Sequence, residues 1–258
     1  MAGGDQCPSD PKRVASTPVD LRSQFGDIDI YLFDQLLRGR IRPGMRVFDA
    51  GCGEGRNLVY LLQAGYELFG VDTDAASVAS VRRMAATLAP HLSADNFRSE
   101  LLESMTFPDG FADVVLSSAV LHFARDDAHF DAMLRAMWRL LASDGLFFCR
   151  LASSIGIKHQ VERISGRRCR LPDGSERYLV DEQLLVELTD ALGAEWLDPL
   201  KTTVVQNQRS MTTWVIRKRA IDSDRGTAGR HSDLAFNSVQ DRADILPEVL
   251  RPSNERTR

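Results

Sequence analysis

Three glycines in five residues, Gly51, Gly53 and Gly55, follow a short apolar run ending in Asp49, and this stretch decides most of what the chain can fold into. Val47 and Phe48 read as the end of a buried strand with Asp49 at its tip, and 56–64 reads as the helix that follows. A strand-to-helix loop this rich in glycine has backbone freedom that residues with a Cβ lack. It also lets a ligand approach the main chain beside the electropositive end of the helix.

Two glycine-rich loops of known mechanics do not fit. The dinucleotide fingerprint places glycines at the first, third and sixth loop positions, the last where helix and strand pack close. Here the third glycine comes one residue early, and Arg56 stands where a small residue is needed. No Lys-Ser or Lys-Thr follows, so the loop is not a P-loop. The run 68–71 reads as a second strand ending in Asp72, about 20 residues past the first loop glycine. At that separation the second strand lies beside the first, and a carboxylate at its tip can accept hydrogen bonds from both hydroxyls of a ribose. Asp72 or Asp74 also has to cap the next helix, and the spacing assigns Asp74 to capping and Asp72 to ribose.

The spacing Asp-x-Gly-x-Gly-x-Gly over 49–55 resembles the first motif of the class I S-adenosylmethionine-dependent methyltransferases, and Gly70-Val71-Asp72 resembles their second. Phe107-Pro108-Asp109-Gly110-Phe111-Ala112-Asp113-Val114-Val115 is similar to the Phe-Pro-Asp-Gly-Ser-Phe-Asp-Val-Val signature that leads into their fourth strand. The join at 138–148 looks like their Arg-x-Leu-x-Pro-Gly-Gly segment, with Pro and the first Gly replaced. The resemblance covers roughly 25–219 and looks most like bacterial small-molecule methyltransferases. It implies an α/β fold with a Rossmann-like seven-stranded sheet, mostly parallel with an antiparallel C-terminal strand, and helices on both faces. It implies S-adenosylmethionine as cofactor, touched by Asp49, Ala50, Gly51, Cys52, Gly53, Gly55 and Asn57 around the loop and by Asp72 and Thr73 on the ribose side. Ser117 and Ser118, at the end of the fourth strand, would face the methyl donor and acceptor. The family's Gly-Asp-Ala past strand three is absent, so Glu100 becomes the nearest acceptor for the adenine amino group, with Leu101 and Leu102 against the ring.

The reaction so implied is in-line displacement at a sulfonium methyl, with a small molecule as acceptor. A sulfonium is a good leaving group, so alignment supplies much of the catalysis, and a base is needed only if the acceptor must lose a proton. Neither a triad nor a metal is expected. His122, just past the fourth strand, is the residue there able to act as a base near neutral pH; the other reading is that it touches substrate or packs at the start of a helix. Two rivals keep the same loop: a cofactor-binding regulatory protein without turnover, and an NAD(P)-dependent oxidoreductase, which Arg56 disfavours.

The remainder bounds the surroundings. At 258 residues the chain holds one α/β domain, expected over 23–219, between polar ends at 1–22 and 220–258 that read as lacking fixed structure. A net charge of −4 and a pI near 5.8 give no reason to expect nucleic acid or an anionic membrane as partner. Four scattered cysteines, no apolar leader and no membrane-length apolar window point to the reducing cytoplasm. The resemblance implies that a helix over 25–37, just before strand one, would lie over the cofactor mouth and bring Asp27, Asp29 and Tyr31 to cofactor or substrate; the other reading is that it simply covers core. The 125–141 stretch is an amphipathic helix whose apolar stripe is core. The basic insertion at 152–180 contains Lys158, Arg163 and Arg168, cations suited to an anionic acceptor or to a solvated face, around a hairpin turn at 171–174. Asp181 reads as the cap of a helix ending near Leu192, with strands at 197–205 and 211–217 closing the sheet.

Overall fold

The apolar run before the glycine loop forms strand β1 (Arg46–Ala50), whose last four residues are buried. In a computed structural model describing residues 20–220, it is followed by β2 (Glu67–Asp72), β3 (Phe97–Ser99), β4 (Ala112–Ser118), β5 (Leu141–Ala152), β6 (Glu162–Ser165), β7 (Arg168–Arg170), β8 (Glu176–Tyr178), β9 (Glu195–Trp196), β10 (Lys201–Val205) and β11 (Arg209–Arg217). The helices are α1 (Leu21–Phe25), α2 (Ile30–Leu37), α3 (Val59–Gln63), α4 (Ala75–Leu88), α5 (Asp127–Leu140) and α6 (Glu182–Ala191). The main sheet runs β10-β11-β5-β4-β1-β2-β3, with β9 as a short addition on β11. Strands β1 to β5 pair in parallel, while β11 runs antiparallel to both β5 and β10. The expected seven strands and antiparallel C-terminal strand are therefore present. The residues expected to form polar ends at 1–19 and 221–258 lie outside the described residues.

Strand order reverses between β1 and β4, and ligands in such sheets sit outside the carboxyl ends of the strands at that point. Register aligns the ends there: Asp49 lies opposite Gly70 of β2 and Leu116 of β4. Adjacent side chains alternate across the sheet, so Val47 and Phe148 join one apolar layer while Phe48 and Phe147 join the other. Burial on both faces is why these strands read as continuous apolar runs rather than alternating ones. The stripe of α5 buries Phe130, Met133, Leu134, Met137 and Leu140 in the Phe48 layer, as its spacing required. No helix among the described residues is long and apolar enough to cross a membrane.

Three expectations change. The helix expected over 25–37 is two helices: Gly26 ends α1 with φ 62°, and Asp29 opens α2 by accepting from the Tyr31 N–H. Helix α1 starts at Leu21, capped by Asp20, inside the segment expected to lack fixed structure. The basic insertion forms a three-stranded antiparallel sheet, β6-β7-β8, with the anticipated 171–174 turn joining its last two strands. Ile157, Cys169, Leu171 and Leu179 anchor this small sheet against Ala152 at the end of β5.

Candidate functional site

The loop after β1 is fastened to β2 through its backbone. The N–H groups of Gly51 and Cys52 both donate to the Val71 carbonyl at 2.9 Å. Gly53 N–H donates to Asp72 Oδ2 at 2.8 Å, and Asp74 N–H to Asp72 Oδ1 at 2.9 Å. Asp74 caps α4 by accepting from the Ala76 and Ser77 N–H groups, as its spacing assigned it, while Asp72 is engaged by the loop. Gly51, Gly53, Asp72, Thr73, Glu100, Leu101 and Leu102 line one cavity of about 440 Å³ beside the switch point.

The other residues expected at the cofactor sit behind this lining. Asp49 is 2 % exposed and lines no described cavity; burial pushes its carboxyl up to about 7, with Arg56 opposing and Asp72 adding to the shift. Ala50 and Cys52 are buried, and burial raises the Cys52 thiol further. Asn57 accepts from the Asp29 N–H at 3.0 Å and so ties α2 to the loop, while Gly55 leaves room for Val81 of α4. Ser117 is buried and Ser118 Oγ accepts from Arg56 Nη2 at 3.0 Å. Glu100 lines the first cavity, while its carboxylate accepts from the Thr106 N–H at 2.8 Å and the Thr106 hydroxyl at 2.7 Å. Its side chain thus fastens the 100–106 turn, and Leu101, 52 % exposed, takes the rim. Glu103 lines this end as well, 3.3 Å from His129 Nε2; His129 Nδ1 accepts from the Arg125 N–H, so Nε2 carries the proton. The sequence signal for Glu103 was its position one turn past Glu100.

A second cavity, about 260 Å³, adjoins the first through Ala119, which lines both and holds φ 65° just past β4. Arg56, His122, Arg150, Arg177, Arg209 and Ser210 are among its walls. Arg150 Nη1 reaches Asp29 Oδ2 at 2.8 Å, and Arg56 Nη2 lies 3.8 Å from the same oxygen. Buried Asp29 therefore joins α2, the loop and β5. Tyr31 lines neither cavity: its hydroxyl pairs with Thr203 at 2.8 Å, and its ring lies under Arg150. Of the insertion's cations, Arg177 lines the second cavity, but the three expected at an acceptor lie elsewhere. Arg168 pairs with Glu176 and donates to the Ala124 carbonyl, Lys158 and Arg163 are exposed, and none of the three lines either cavity.

His122 is 5 % exposed, and its Nδ1 accepts from the Ala152 N–H at 3.2 Å. That bond puts the proton on Nε2, so near neutral pH the ring offers a donor and no free acceptor. Burial, then Arg177, lowers its pKa to about 4 from 6.5. The folded ring thus binds fewer protons than the unfolded one between those values, and stability falls as pH drops through that window. On this basis wild type loses about 3 kcal/mol relative to His122→Asn between pH 7 and pH 4. Urea unfolding of both proteins at the two pH values measures this, and a constant gap would show that the ring titrates normally.

Residues 48–149 match the family model described as a methyltransferase domain. An uncharacterized methyltransferase from Synechocystis sp. is 29 % identical over 109 residues, covering 42 % of this chain and 47 % of the relative, so the chain spans about half the length of the curated relative it matches. Among solved structures, the 1,6-didemethyltoxoflavin-N1-methyltransferase of Burkholderia thailandensis, with 1,6-didemethyltoxoflavin and S-adenosylhomocysteine bound, superposes with a TM-score of 0.58 at 20 % identity, over 78 % of this chain and 81 % of that one. The cyclase SpnF superposes equally well, TM-score 0.58 at 19 % identity over 74 % and 81 %, so the shared fold does not by itself fix the chemistry. The matched segment runs from β1 to β5 and contains the glycine loop, Asp72 and the switch point, so it is this part of the chain that is similar to a methyltransferase domain.

Proposed function

We propose that this protein binds S-adenosylmethionine in the larger cavity and directs in-line methyl transfer to a small anionic molecule in the smaller one. The observation that carries the reading is that the two cavities share Ala119, so a donor along the glycine loop and an acceptor among the arginines would meet at the end of β4. The larger cavity suits the cofactor. Nothing lies within 4 Å of where a Gly53 Cβ would stand, which leaves that backbone open to a ligand. Asp72 gives one oxygen to each of two N–H groups and keeps lone pairs for ribose hydroxyls. Leu101 and Leu102 offer apolar surface to a ring.

When bound, S-adenosylmethionine supplies an electrophilic methyl carbon on sulfur. The chain's own part is alignment: Asp72 and the loop hold one reactant, the arginines hold the other, and His122 Nε2–H is a donor beside the second. Three described cysteines, Cys52, Cys149 and Cys169, are buried and free, in keeping with the reducing cytoplasm as the site of action. Calorimetric titration with S-adenosylmethionine, S-adenosylhomocysteine and NADH tests the reading, with binding of the first two expected. Binding of NADH alone, or of none, would overturn it. Binding without turnover on any acceptor would favour a regulatory protein of the same fold.

A further inference from the structure

Resting on the methyltransferase reading above, we infer that the acceptor is a carboxylic acid and that the methyl goes to its carboxylate oxygen, giving a methyl ester. The second cavity combines an excess of cations with the lack of a usable base. Arg177 and Arg209 act on Asp173 only at longer range and form no close ion pair among the described residues, with Arg177 Nη1 donating to the Glu176 carbonyl. By contrast, Arg167, Arg168 and Arg170 of the insertion are each paired with a carboxylate. Arg150 has its Nε buried without a hydrogen-bond partner, although its Nη1 is engaged by Asp29. Guanidinium donors left over around about 260 Å³ match the planar, two-oxygen geometry of a carboxylate.

The wall has no group placed to take a proton. Guanidinium groups stay charged. His122 has Nδ1 engaged by Ala152 and its proton on Nε2. Asp173 is the one carboxylate among the described wall residues, and Ser175 donates to it through both its N–H at 2.9 Å and its hydroxyl at 2.6 Å, which holds the carboxyl below its ordinary range. Ser210 is 3.1 Å from Ser153, which accepts from Thr212, so this hydroxyl chain includes no base. A phenol would have to lose a proton to attack well, and an amine arrives protonated and is repelled by the arginines. A carboxylate arrives ionised. One of its lone pairs forms the oxygen–carbon bond while the carbon–sulfur bond breaks with its pair left on sulfur. The anionic and sulfonium charges cancel, and no proton moves.

The test uses the full chain with S-adenosylhomocysteine bound, and a probe panel of benzoate, cinnamate and succinate against benzamide, phenol and benzylamine. Thermal unfolding reads binding. At least one of the acids is expected to raise the Tm of the complex while the amide, phenol and amine do not. In Arg177→Gln/Arg209→Gln that acid shift should fall by about tenfold in apparent affinity, with S-adenosylhomocysteine affinity unchanged. Turnover with methyl-tritiated cofactor should give a product that releases volatile methanol in mild alkali, at a rate level between pH 6 and 9 because no base titrates. Failure of every acid to shift the complex, or an alkali-stable product from the phenol or amine, would overturn the carboxylate assignment while cofactor binding upholds the broader function. Loss of S-adenosylhomocysteine binding itself would instead remove the reading beneath it.

Discussion

Asp72→Ala is expected to weaken S-adenosylmethionine binding by about 100-fold or more, since hydrogen bonds to a charged group contribute about 1.5–3 kcal/mol each. Two roles converge on this side chain. In the proposed complex it accepts from the ribose hydroxyls, and in the structure it already accepts from the Gly53 and Asp74 N–H groups. The alanine variant therefore loses both the ribose contact and the clamp that holds the loop against β2. Asp72 is only half-buried and β2 is held by its pairing with β1 and β3, so the fold should persist with a stability loss of about 1 kcal/mol. Asp72→Asn keeps one oxygen and should fall between the two. Calorimetry on the three proteins separates the outcomes, and unchanged affinity in the alanine variant would sink the ribose assignment.

The place of Asp72 beside the glycine loop is legible in the sequence because it depends on local spacing. A glycine loop between strand and helix, and an acid at the tip of the next strand, are fixed relative to each other by the βαβ unit alone. The capping of α4 by Asp74 follows from an equally local rule, as does the buried stripe of α5. The second cavity was not legible, because its arginines come from four places: Arg56 from the loop, Arg150 from β5, Arg177 from β8 and Arg209 from β11. No spacing links them; only sheet order does. Arg56 had been read as an obstacle to dinucleotide binding, and the insertion's arginines were weighed without their carboxylate partners. Glu100 is legible from its place just past β3, whereas Glu103 reaches the same cavity only through the short helical turn Leu102–Ser104. The break between α1 and α2 had its signals in Gly26 and Asp29, and the apolar periodicity ran through both.

Gly51→Ala should have the larger effect on the molecule as a whole. At φ 81° the residue is in the left-handed region, where an alanine costs about 1–2 kcal/mol. Its Cβ would also stand 2.5 Å from Val120 Cγ2, so either Val120 or the loop must move. Together these should cost about 2–4 kcal/mol of stability, since overpacking alone costs about 1–3 kcal/mol. Movement of the loop would break the paired N–H bonds of Gly51 and Cys52 to Val71 and displace the cavity wall, so cofactor affinity should fall along with stability. Gly53→Ala is the control. Nothing lies within 4 Å of its Cβ, and at φ 49° the strain is about 1 kcal/mol, yet Gly53 lines the cavity. That variant should lose affinity with little loss of stability. Adding Val120→Ala to Gly51→Ala removes the clash and leaves the backbone strain, so it should restore part of the stability and not all of it. Urea unfolding and calorimetry on the four proteins measure both quantities. Wild-type affinity in Gly51→Ala would mean that the close approach of this loop to Val120 does not shape the cofactor site.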